Sequence, residues 1–162
     1  MLSLIRQLFG SGRATEWDFI KSSVELYPQG PIAILQMKSK EGSLLTGWVN
    51  KGYEDYPYKH FCKYNFLIKV NLLDKVASPN QDLDMGTIEQ YFLGNLRKAS
   101  VCHLVARVAT DEGLNLEMYL EDQDIGMITL LNLSNNPNRL VSFTYESKYD
   151  SDWSAVSGLL KI

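Results

Sequence analysis

Tyr64-Asn65-Phe66-Leu67-Ile68-Lys69-Val70-Asn71-Leu72 is the stretch from which the fold can be read. Tyr64, Phe66, Ile68, Val70 and Leu72 alternate with Asn65, Leu67, Lys69 and Asn71, the period-2 pattern of a strand with one apolar face. Ser78-Pro79-Asn80 supplies a loop after it. Met85, Ile88, Tyr91, Phe92 and Leu96 then recur at helical spacing, behind Asp82 or Asp84 as cap and ahead of Arg97 and Lys98 near the C-terminal end. Gly86 and Gly94 weaken that helix, each by up to ~1 kcal/mol relative to alanine. Val101–Ala109 and Leu114–Glu121 read as strands joined by Thr110-Asp111-Glu112-Gly113, a hairpin turn with its glycine placed for positive φ. Asp122 caps a second helix that runs through Leu133 to a stop at Asn135-Asn136-Pro137-Asn138. Leu140–Glu146 is the last strand, and Asp150 or Asp152 caps a terminal helix holding Trp153, Val156, Leu159 and Leu160.

The order from residue 64 is therefore β-α-β-β-α-β plus a helix. This predicts an α+β fold with a ferredoxin-like core, an antiparallel sheet carrying two helices on one face. Phe66, Ile68, Val70, Cys102, Leu104, Ala106, Val108, Leu114, Leu116, Met118 and Leu120 are expected to face the helices. Asn65, Lys69, His103, Arg107, Glu117, Tyr119, Ser142 and Thr144 are expected on the opposite, open face.

Upstream, Glu16–Glu25 reads as a strand through Trp17, Phe19 and Ile20. Tyr27-Pro28-Gln29-Gly30-Pro31 turns the chain into a second strand, Ile32–Met37, so that 16–38 is expected to form a β-hairpin. Lys38–Ser43 is a further turn, Leu44–Val49 a short strand, and Lys51–Lys59 a charged aromatic loop. Residues 1–15 form an N-terminal amphipathic segment with Leu4, Ile5, Leu8 and Phe9 as its apolar stripe, expected to dock on the body. Residues 16–162 are expected to form one domain, with 16–60 as hairpin and loop extension and 61–162 as the ferredoxin-like core.

Composition narrows the function classes. The 162 residues are 45% hydrophobic and 22% charged, values of an ordinary globular domain. A net charge of −3 argues against general nucleic-acid binding, which needs a basic surface to displace counterions. No run approaches the ~20 apolar residues of a membrane span. Cys62 and Cys102 belong to no C-x-x-C pair, which fits a reducing compartment, and the expected location is the cytoplasm.

The chemistry-bearing residues form no motif. His60-x-Cys62 and Cys102-His103 invite a zinc reading, but neighbours on a strand point to opposite faces and cannot both ligate. Cys102 lies among apolar residues, where a thiol is inert, whereas Cys62 is expected nearer the surface. Phosphate loops, nucleophile elbows and metalloprotease patterns are missing from the sequence. Glu117 with Glu121, and His103 with Arg107, can share a strand face, an arrangement typical of solvated cross-strand pairs. RNA recognition through sheet aromatics has only Tyr119 to offer beside Asn65, Leu67 and Lys69. Tyr53, Tyr56 and Tyr58 in the aromatic loop are candidates for a binding surface, or a cover for the sheet edge. Residues 111–124 carry Asp111, Glu112, Glu117, Glu121, Asp122 and Asp124 and no lysine or arginine, a candidate negative ridge for a basic protein surface.

Glu16-Trp17-Asp18-Phe19 near the start and Tyr149-Asp150-Ser151-Asp152-Trp153 near the end carry a resemblance. With Ile88-Glu89-Gln90-Tyr91-Phe92 and the 103–122 hairpin, they make residues 16–162 similar to the bacterial domain-of-unknown-function family numbered 695. Gly113 and Tyr119 match that family's glycine-bearing turn and aromatic strand. The chain departs from it at Ile20, where an aromatic is common, and in the long loop 39–60. A looser similarity of fold and charge links the second half to the B-type regulator of ribonuclease E activity, a small acidic ferredoxin-like inhibitor that binds its enzyme. The resemblance brings no catalytic residue. It favours a non-catalytic protein-interaction or regulatory module with a protein partner; no cofactor is expected, and no metal, because His60, Cys62, Cys102 and His103 form no ligand set. The binding candidates are Tyr53, Tyr56, Tyr58, His103, Arg107, Glu117, Tyr119 and Glu121. The alternative is a small hydrolase or ligand-binding domain on the open sheet face, with His103, Arg107 and Glu117 converging on a pocket.

Overall fold

A computed structural model describes residues 15–74 and 83–162. The expected N-terminal segment lies outside these residues apart from Thr15, and so does the Ser78-Pro79-Asn80 loop. The chain first forms helix α1 (Glu16–Lys21), not the strand expected over 16–25. Thr15 is the reason. Its hydroxyl accepts from the Asp18 N–H, and the Asp18 carboxylate accepts from the Thr15 N–H at 3.0 Å, a reciprocal cap that closes the first turn. Trp17 and Ile20, three apart, are buried together, while Phe19 stays exposed.

The hairpin consequently lies later than expected. Strands β1 (Ile32–Lys38) and β2 (Leu44–Asn50) pair antiparallel from Ile32 opposite Asn50 to Lys38 opposite Leu44, across a turn in which Gly42 takes φ +91°. The aromatic loop that follows winds into two short 3₁₀ turns, Lys51–Tyr53 and Lys59–Phe61. Strand β3 (Tyr64–Asn71), helix α2 (Met85–Ala99), strands β4 (Cys102–Ala109) and β5 (Gly113–Leu120), helix α3 (Gln123–Asn135) and strand β6 (Ser142–Tyr149) follow the predicted order. Asp84 caps α2 through the Thr87 N–H at 2.7 Å, and Asp122 caps α3 through the Ile125 N–H at 3.0 Å.

The fold is α+β, with a six-stranded antiparallel sheet in the order β1-β2-β4-β5-β3-β6. Strand β5 lies between β3 and β4, splitting the β3-α2-β4 unit, and the hairpin continues the sheet beyond β4. Gly113 does not have the positive φ expected of it. A Cβ there would lie 1.9 Å from the Val70 carbonyl oxygen, so close approach of β3 to β5 requires the glycine.

Two cores flank the sheet. Phe66, Ile68, Leu116 and Met118 pack beneath Ile88, Phe92 and Leu96 of α2 and Leu130 of α3. The other face, expected to be open, is covered. Val105, Ala106 and Tyr119 lie against Trp17 and Ile20 of α1, Tyr53, Tyr56 and Cys62 of the 51–63 segment, and Trp153 and Val156 near the C-terminus. The sheet is thus a middle layer.

A bulge in β4 redistributes its side chains. The register with β5 slips between Leu104 and Ala106, leaving Val105 without a cross-strand partner. Leu104 points to the helices, but Ala106, expected on the same side, joins the second core. The C-terminus also differs from expectation. Asp150 accepts from the Ser154 N–H at 2.9 Å and the Ala155 N–H at 3.0 Å, yet Trp153 precedes the helical turns, at φ +57°. A 3₁₀ turn (Ser154–Val156) leads into the short helix α4 (Ser157–Leu160). No described helix is long and apolar enough to cross a membrane.

Candidate functional site

His103 and Tyr119 sit opposite each other on β4 and β5, and both are fully buried. The Tyr53 hydroxyl lies 3.1 Å from His103 Nδ1, and the rings of Tyr27, Tyr56 and Trp153 enclose the imidazole. Burial, with a smaller contribution from Arg97, lowers the imidazole to about 3, so His103 is neutral. Its Nε2 has no hydrogen-bond partner among the described residues. Tyr119 donates from its hydroxyl to Asp150 Oδ2 at 2.6 Å and stacks on Trp153. Trp153 Nε1 donates to the Cys62 carbonyl at 2.8 Å. Tyr56 donates to the Leu26 carbonyl at 2.8 Å, and the half-buried Tyr58 donates to Glu25 at 3.1 Å. The tyrosine loop therefore faces inward and covers the sheet.

The other candidates are engaged as well. The bulge turns Arg107 to the helix side, where it pairs with Glu89 of α2 beside the Trp48 ring. The sheet thus separates Arg107 from His103, and the expected convergence of His103, Arg107 and Glu117 on a pocket does not occur. Glu117 is half-buried, its carboxyl raised by burial even though Asn65 Nδ2 donates to it at 3.0 Å. Glu121 accepts from Trp17 Nε1 at 2.7 Å and lies 3.7 Å from the Lys21 ammonium. Of the acidic ridge, Glu121, Asp122 and Asp124 line a polar cleft of about 310 Å³ with Lys63, Tyr64 and Gln123.

Neither thiol is poised for attack. Cys102 is buried as expected and pushed up to about 12, chiefly by burial. Cys62, expected nearer the surface, is fully buried under the same aromatic layer, and burial raises its thiol too. Among the described residues, no three His, Cys, Asp or Glu side chains gather in a metal-binding group.

No family model, no curated protein and no solved structure matches the chain.

The surface offers more than the interior. On β1, Ile32 is 52% and Ile34 73% exposed, and Leu44 across the hairpin is 63% exposed. Ala33, Leu35 and Met37, on the alternate face, pack into the second core. Helix α2 reaches Trp48 through Glu89, leaving the outer part of the hairpin bare on this side. Strand β1 ends the sheet, and among the described residues nothing pairs with its outer side. Sequence reasoning missed Ile32, Ile34 and Leu44. The available signal was the Ile32–Met37 run, which is apolar on both faces except for Gln36. Helix α3 also exposes Met127, Ile128 and Leu131, but a helix face presents no unpaired backbone groups to direct a partner.

Proposed function

We propose that this protein is a non-catalytic interaction module of regulatory type, which docks an extended protein segment along β1. One observation carries the reading: an edge strand whose Ile32–Met37 run is uncharged, with Ile32 and Ile34 exposed, ends a sheet whose central strands are packed on both faces. Such an edge offers a row of backbone donors and acceptors to an added strand, while alternate side chains supply apolar contact. The opposite edge contrasts with it, since β6 carries Glu146 and Lys148, and Glu146 is paired with Lys69 of β3. The negative net charge supports a protein partner over nucleic acid. The resemblance to the family numbered 695, carried by the end motifs, residues 88–92 and the 103–122 hairpin, and the looser likeness of fold and charge to the ribonuclease E regulator belong to this proposal. The hydrolase alternative is disfavoured, because His103 and Arg107 lie on opposite sides of the sheet. Affinity capture with wild-type protein and with Ile34→Lys tests the reading. Partners retained by the wild type should be lost with the variant; equal capture by both would remove β1 as the docking site.

A further inference from the structure

We draw no further inference here: the strongest candidate, the exposed apolar face of helix α3 at Met127, Ile128 and Leu131, carries none because nothing in the structure shows what covers it.

Discussion

Tyr119 lies flat on Trp153, with ring centroids 4.2 Å apart and planes 14° from parallel. Three residues before Trp153, Asp150 accepts the Tyr119 hydroxyl proton in a 2.6 Å hydrogen bond. Stack and hydrogen bond together fix the C-terminal segment to the middle of the sheet. They close the face on which a site could otherwise have formed.

Removing that stack should be costly. Trp153→Ala is expected to lower unfolding stability by roughly 3–5 kcal/mol, the usual effect of deleting a buried large aromatic. Trp17→Ala should fall toward the lower end, since Trp17 is stacked on the half-buried Phe61. Urea denaturation of each variant checks both values. An unmoved midpoint for Trp153→Ala would show that the second core does not depend on the ring.

Acid should destabilise the protein in two windows of the same sign. His103 falls from an ordinary value of 6.5 to about 3 in the fold, so between these limits the unfolded chain binds the extra proton. Its contribution is complete above 6.5 and is lost as pH falls toward 3. Burial alone would raise the Asp150 carboxyl, but hydrogen bonds from Tyr119, Ala155 and Ser154 outweigh it and hold the group at about 2. That contribution is present above 3.8 and is lost as pH falls toward 2. Stability measured against pH should therefore decline below 6.5 and steepen below 3.8. His103→Phe should flatten the first decline and leave the second.

Gly126 tests the first core. A Cβ at this position would lie 2.6 Å from Phe66 Cζ and 2.7 Å from Leu120 Cδ2. Alanine improves helix propensity by up to ~1 kcal/mol, but overpacking of this kind typically costs about 1–3 kcal/mol. Gly126→Ala should be net destabilising, and a thermal melt decides the sign.

The legible parts of the fold were those in which one residue pattern had one reading. Phe66, Ile68 and Val70 fixed a strand face, and Ile88, Phe92 and Leu96 a helix face, because periods of 2 and 3.6 are distinct over such lengths. Trp17 and Phe19 misled, since an i, i+2 pair imitates a strand, and the Thr15–Asp18 cap outweighed it. The bulge at Val105 was not legible: no glycine or proline marks it, and a one-residue slip within an apolar run leaves no trace while reversing the side of Arg107. The cover over His103 and Tyr119 comes from both chain ends and from Tyr53 and Tyr56, contacts that sequence spacing does not encode. Strand β1 was found, but its place at the edge depends on where β2 pairs, which only the assembled sheet reveals.

Docking is proposed to use the β1 edge and not the aromatic interior. Amide hydrogen exchange of the full chain, compared between the free protein and protein bound to a partner that the wild type but not Ile34→Lys captures, tests it most directly. Exchange is expected to slow across Ile32–Lys38 when the partner binds, while Tyr53–Tyr58 and Glu117–Glu121 exchange at unchanged rates. Slowing confined to those latter segments, with β1 unchanged, would contradict it.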